Sequence, residues 1–312
     1  MRLLSRSRRA RGGRAGGARG RPPAPFIVGV SRSGTTSLRL ALDAHCRLAI
    51  PPETHFVPEL VEAYQAQGAE RDRVVELLAG EPHWPLFGLD PGALRDRLPA
   101  AGTVKARAAL RAFYGAYAEA RGKPRWGDET PGYLHSMRLI ARGLPEARFI
   151  HVIRDVRDVT LSMVEAGQIK PDVLDTAARH WAWQVGKARS DSARLDHYVE
   201  IRYEELTRDA EATLRRVCEF VELPWDPATF DALRAAGERS ASGAREPGPA
   251  GTRPALTEPA GRWRAEMGTT DRATCEAVAG GLLAELGYEI GAPSATLDGI
   301  LQGRGTKPAG DG

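Results

Sequence analysis

A chain of 312 residues with 42% hydrophobic side chains can bury one large α/β core or two smaller ones, and its composition excludes a collagen, a solenoid or a disulfide scaffold. The formal charge of +4 misleads: residues 1–25 carry eight arginines and no acid, so the remainder stands at −4. A nucleic-acid-binding domain shows its basic stripe on the folded body, and here the stripe is confined to a Gly/Ala/Arg tail, so no nucleic-acid partner is expected.

Residues 1–24 read as a disordered basic tail, because they offer nothing apolar to set against the entropy of ordering. They lack the apolar stretch of a secretory signal, and their glycines disfavour the amphipathic helix of a transit peptide. No apolar run is long enough to span a bilayer. Cys46, Cys218 and Cys275 are far apart with no metal spacing, so buried thiols in a cytoplasmic protein are expected, without a resident metal, as a monomer or homodimer.

The first strand is Phe26–Val30, followed at once by Ser31-Arg32-Ser33-Gly34-Thr35-Thr36-Ser37. From Gly29 this reads G-x-x-x-x-G-T-T, a turn between strand and helix that aims backbone N–H groups at an anion. A nucleotide triphosphatase carries lysine where Thr35 stands, to serve the β/γ-phosphates. Its loss argues against a triphosphate ligand and for another phosphorylated one. Ser37–Leu42 begins the first helix; Pro51-Pro52 then places Glu53-Thr54-His55 in a turn ahead of a helical pattern at Val57, Leu60, Val61 and Tyr64.

Residues 70–122 read as a helical insertion over the site, with helices at Arg71–Ala79 and Val104–Ala120. Arg148–Ile153 is the second strand, and Asp155 can cap a helix reaching about Ala166. Pro171 opens a helix containing Trp181 and Trp183; Tyr198–Arg202 is the third strand; a helix with Leu214, Val217, Cys218 and Val221 on one face follows. Residues 238–260 have the composition of a mobile loop, a last helix covers about Asp271–Leu286, and 292–312 form a flexible tail. Strands alternating with helices predict a three-layer, P-loop-like α/β fold with a central parallel sheet, in one domain over residues 25–291. Its ligands are expected beyond the carboxyl ends of the strands.

A second anion site is expected where that edge delivers Arg154, with Ser162 two turns into the next helix. Arg157 and Asp158 read as surface charge-pair residues.

Arg32-Ser33-Gly34-Thr35-Thr36, followed by R-D-x-R-D-x-x-x-S at 154–162, resembles sulfotransferases that use 3′-phosphoadenosine 5′-phosphosulfate (PAPS). The closer likeness is to the tyrosylprotein sulfotransferase branch and its bacterial relatives. Leu42-Asp43-Ala44-His45 with Glu53-Thr54 is similar to its L-D-A-H-P…E-T segment, and Gly261-Arg262-Trp263 with Leu283–Tyr288 to its C-terminal K-W…L-G-Y segment. The resemblance runs from about Phe26 to Ile290 and is poorest over 70–122.

It implies that Arg32 and the backbone and hydroxyls of Ser33, Gly34, Thr35, Thr36 and Ser37 hold the phosphosulfate of PAPS. Arg154 and Ser162 then hold the 3′-phosphate, Tyr203 lies near the nucleotide, and Arg262 replaces a nucleotide-contacting lysine. Glu53 is the candidate general base for an acceptor hydroxyl on a small molecule, lipid or glycan, with His55 and His135 next in order. Trp126, Trp181 and Trp183 read as core. One departure stands out: where relatives carry a D-K-T-P-like segment, this chain has Asp128-Glu129-Thr130-Pro131, so the lysine's assistance to the leaving group passes to Arg32 or His135 or is unfilled. The alternatives are a P-loop kinase or phosphotransferase, which needs the loop lysine and a magnesium-binding carboxylate after a second strand, and a non-catalytic nucleotide-binding protein of the same fold.

Overall fold

The computed structural model describes residues 20–100, 102–241 and 259–291. The central strand β1 (Ala24–Gly29) runs into α1 (Thr35–Asp43) and the two-residue strand β2 (Leu48–Ala49). Helices α2 (Val57–Tyr64), α3 (Arg71–Ala79), α4 (Trp84–Phe87), α5 (Pro91–Arg97) and α6 (Ala106–Glu119) follow. Two more short strands, β3 (Arg125–Trp126) and β4 (Asp128–Glu129), lead through a 3₁₀ turn at Pro131–His135 to α7 (Met137–Gly143). The second half comprises β5 (Ala147–Ile153), α8 (Val156–Glu165), α9 (Leu174–Ser192), β6 (Tyr198–Arg202), α10 (Tyr203–Arg208), α11 (Ala210–Phe220), α12 (Pro227–Ala241), α13 (Trp263–Glu266) and α14 (Thr269–Glu285).

The main sheet has the order β4-β1-β5-β6, with every pairing parallel. All six residues of β1 are buried, the continuous burial expected of a strand covered on both faces. Alternation sorts the side chains. Phe26, Val28, Phe149 and Ile153 enter one core with Trp181 and Leu283; Ile27, Ile150 and Val152 enter the other with Leu38, Leu42, Leu214 and Val217. Each large apolar side chain so buried contributes about 1.5–3 kcal/mol. A second, two-stranded sheet pairs Leu48 with Arg125 and Ala49 with Trp126.

The three expected strands and the doubly covered sheet are present. The fourth, β4, is two residues long and pairs with β1 through Phe26–Asp128 and Ile27–Glu129; so short a run carries no alternation to detect. The expected insertion is helical from Arg71 to Glu119, apart from a bridge between Ala69 and Val104. The expected mobile loop needs correcting at its start, where residues 238–241 continue α12. The rest of that loop through 258, residues 1–19 of the basic tail and the tail from 292 lie outside the described residues.

Candidate active site

The phosphate-type loop leaves the carboxyl end of β1 through two left-handed residues, Arg32 at φ 69° and Gly34 at φ 94°. Glycine is required at the second: a Cβ there would stand 2.4 Å from the Tyr203 ring. Ser33 N–H donates to Val30 O at 3.1 Å, closing the turn. No side chain caps the start of α1, so its first N–H groups stay open to a ligand. The hydroxyls of Ser33 and Ser37 are buried without a hydrogen-bond partner, an arrangement that favours a polar ligand on the loop.

The loop is tied to the second predicted element. Arg32 Nε donates to Ser162 Oγ at 2.9 Å, and Arg154 Nη1 donates to the carbonyl of Arg32 at 3.1 Å. Arg154, 0% exposed, lies with its guanidinium 4.4 Å from the centre of the Tyr203 ring, a cation–π geometry. Tyr203 in turn covers Gly34. Arg32, Gly34, Arg154, Ser162 and Tyr203, from four separate stretches of chain, therefore meet at one edge of the sheet.

Glu53 is positioned by a buried network that the sequence did not disclose. Thr54 Oγ1 and Tyr114 OH each donate to Asp128 Oδ2 at 2.8 Å. Val57 N–H donates to Tyr133 OH at 3.0 Å, leaving that hydroxyl to donate to Thr54 Oγ1 at 2.8 Å. Thr54 N–H donates to Thr130 Oγ1 at 3.0 Å. Burial pushes the Asp128 carboxyl up to about 6. Glu53 itself is about a third exposed and lies 3.1 Å from His55 Nε2. His55 adopts a left-handed φ of 55°, and its hydrogen bond to Glu53 raises its pKa. The His83 ring from the insertion lies 4.9 Å from the His55 ring.

Glu129 is buried at the end of β4. Its Oε2 is 3.4 Å from Arg39 Nε, and burial pushes it up to about 8 against the opposing pull of Arg39 and Thr35.

Other expectations need correcting. Arg157 and Asp158 are buried, not surface charges. Arg157 Nε and Nη2 grip Asp155 at 2.9 and 2.7 Å, Nη1 reaches Glu276 at 2.6 Å, and the guanidinium stacks 3.6 Å from the Trp263 ring. Asp158 accepts from the backbone N–H groups of Gly261 and Trp263 at 2.6 and 2.9 Å, fastening the C-terminal segment to α8. Arg262 on that segment pairs with Glu165 and Glu266. Trp181 is core, but Trp183 is 56% exposed and stacks with His135 and His180. His135 bonds Gln184 at 2.9 Å, and burial lowers its pKa. Cys218 and Cys275 are buried; Cys46 is exposed.

His45, Cys46 and Asp226 approach one another closely enough to suggest a metal site. Arg47 N–H, however, donates to His45 Nδ1 at 3.0 Å and His45 Nε2 donates to Pro224 O at 2.9 Å. Both ring nitrogens are occupied, so His45 has no ligand atom to offer.

Between the end of β1, α8 and α9 lies a cavity of about 300 Å³ lined by Val30, Met163, Ile169, Val173, Ala177 and Trp181, with Gln168, Thr176, His180 and Gln184 as polar members. Val30 adjoins the loop and Met163 adjoins Ser162, which places the cavity beside the anion-binding edge. The Trp181 indole N–H is buried without a hydrogen-bond partner.

A parallel sheet covered on both faces, with a lysine-free phosphate-type loop at the end of its central strand, is the architecture of a P-loop-like transferase. The family is narrower. The model of the sulfotransferase family matches residues 23–227, and the chain belongs to that family. It is 25% identical over 281 residues to protein-tyrosine sulfotransferase 1 of Danio rerio, covering 86% of this chain and 72% of that one. It is 26% identical over 214 residues to protein-tyrosine sulfotransferase A of Caenorhabditis elegans, covering 65% and 51%, so it spans only about half of that relative. In fold it is similar to the sulfotransferase domain from the curacin biosynthetic pathway (TM-score 0.52, 18% identity, 86% of this chain and 99% of that one). It is likewise similar to the sulfotransferase domain of the Synechococcus PCC 7002 olefin synthase (TM-score 0.53, 23% identity, 86% and 96%).

Proposed function

We propose that residues 25–291 form one PAPS-dependent sulfotransferase domain that moves a sulfuryl group to a hydroxyl of a small molecule with an apolar body. The observation that carries this reading is the convergence of Arg32, Arg154, Ser162 and Tyr203 around a loop whose Ser33 and Ser37 hydroxyls are buried and unbonded. The loop would hold the 5′-phosphosulfate, and Arg154 with Ser162 the 3′-phosphate. Arg262, although paired with Glu165 and Glu266, remains the proposed counterpart of the nucleotide-contacting lysine. As the acceptor oxygen bonds to sulfur and the bridging bond to the nucleotide breaks, Arg32 and the loop N–H groups take up the charge left on the departing phosphate. Glu53 receives the acceptor's proton.

The apolar cavity beside the loop supports a compact hydrophobic acceptor. The unpaired thiols of Cys46, Cys218 and Cys275 suit a reducing compartment, which we take to be the cytoplasm. The kinase alternative needs the carboxylate after β5 for magnesium, and that carboxylate, Asp155, is occupied by the backbone and side chain of Arg157. Calorimetric titration with 3′-phosphoadenosine 5′-phosphate (PAP) in EDTA and with Mg·ATP tests the nucleotide assignment. Binding of PAP without metal, and none of Mg·ATP, is expected; the reverse overturns it. A panel of phenols, apolar alcohols and a tyrosine peptide then tests the acceptor, since relatives named protein-tyrosine sulfotransferases make a peptide tyrosine the rival.

A further inference from the structure

Glu129 is an unusual neighbour for an anion-binding loop. Its pairing with Ile27 sets it beside β1, two residues ahead of Gly29, and Thr35 of the loop is close enough to its carboxyl to favour the charged form. Three carboxyl groups act on this spot: Glu129 itself, its strand neighbour Asp128, and Glu53 from the segment after β2. The cation facing them is Arg39 of α1, 3.4 Å from Glu129 Oε2. Glu129 Oε1 is buried and has no hydrogen-bond partner. A carboxylate so placed would stand against every negative charge brought to Thr35, in a medium that screens poorly.

Resting on the nucleotide assignment above, we propose that Glu129 is a neutral carboxylic acid whenever nucleotide occupies the loop, and that an ionised Glu129 takes one proton from solvent as the nucleotide binds. The acid form removes the repulsion and turns an acceptor oxygen into an O–H donor beside the loop. It also frees Arg39 from its ion pair, so that its charge acts on the bound anion. Glu129 thus acts on the nucleotide as a positioning residue through Thr35 and Arg39. Its raised pKa of about 8 agrees with this role, since the anion pushes the same equilibrium further toward the acid.

PAP binding should therefore be linked to proton uptake above neutral pH and nearly free of it below. The test is calorimetry of PAP at pH 8.5 and 7 in buffers of different ionisation enthalpy, on the intact protein. Roughly 0.8 proton is expected to enter per PAP at pH 8.5 and about 0.1 at pH 7, for a group near 8 driven to the acid form. Asp128, at about 6, has lost its proton at the higher pH and contributes little. Glu129→Gln keeps the shape and fixes the neutral form, so it should bind PAP with no uptake at either pH. Zero uptake by the wild type at pH 8.5, or equal uptake by the variant, overturns the proposal. Should Glu129→Gln fail to fold by near-UV circular dichroism, the wild type decides alone. Its PAP dissociation constant should rise by up to about tenfold per pH unit above 8.5, and a flat profile overturns the coupling. PAP binding without proton uptake defeats this inference only, whereas no PAP binding at any pH defeats it together with the nucleotide assignment.

Discussion

Glu53 and His55 lie 3.1 Å apart on a turn held by buried Thr54, so the two expected base candidates form one unit. Glu53→Gln should keep PAP affinity and lower kcat by about 10²–10⁴, the usual range for a lost general base. The same substitution removes the hydrogen bond that raises His55, so the His55 pKa should drop toward 6.5, readable by NMR titration of its ring protons. An unchanged His55 titration would show that the pair is absent in solution, and a normal kcat would make Glu53 structural. Arg154 offers the matching test for the nucleotide. Charge-assisted hydrogen bonds contribute about 1.5–3 kcal/mol each, so wild-type protein should prefer PAP to 5′-AMP by tenfold or more. Arg154→Ala should abolish most of that preference, and equal affinity of the wild type for both nucleotides would sink the assignment.

Among the elements, α8 has two tasks: Ser162 faces the loop, while Arg157 and Asp158 fasten the C-terminal segment. Arg157→Ala leaves buried Asp155 without its cation, while Glu276 keeps Arg272. Loss of one partner of such a cluster costs about 3–5 kcal/mol, which denaturant unfolding would register; a loss below about 1 kcal/mol would show the cluster to be solvated. Strands β1, β5 and β6 were legible in the sequence because each is a run of apolar or β-branched residues ending where the chemistry begins. The phosphate-type loop was legible because a glycine-rich turn between strand and helix is a local pattern. Strands β2, β3 and β4 were not, since each has two residues and owes its pairing to the tertiary structure. For the same reason Tyr114, Asp128 and Tyr133, 60 to 79 residues beyond Thr54, gave no sign that they support Glu53. Arg157 and Asp158 looked like surface charges because nothing local reveals that Trp263 and α14 cover them.

Across the whole molecule, a few buried titratable groups govern how stability responds to pH. His151, on β5, is held down to about 3 by burial and by nearby Arg189. Between 6.5 and 3 the unfolded chain binds a proton that the native state refuses, so acid destabilises the fold across that window. Asp128 and Glu129 act in the opposite sense. Their native pKa values of about 6 and about 8 lie above the ordinary 3.8 and 4.5. The native state therefore keeps protons that the unfolded chain has released, and stability falls as pH rises through each window. Above pH 6.5 the His151 and Asp128 contributions are complete, leaving Glu129 with a smaller part in the same direction from the raised, half-exposed His55. Nucleotide-free protein should consequently lose stability between pH 6.5 and 8, at about 1.4 kcal/mol per pH unit for a single group. Urea unfolding at half-unit steps would measure the slope. In Glu129→Gln it should shrink to the His55 remainder, and in a Glu129→Gln/His55→Gln double variant it should vanish. A wild-type profile flat from pH 6.5 to 8 would mean that Glu129 is already ionised in the native state, with Arg39 compensating it fully.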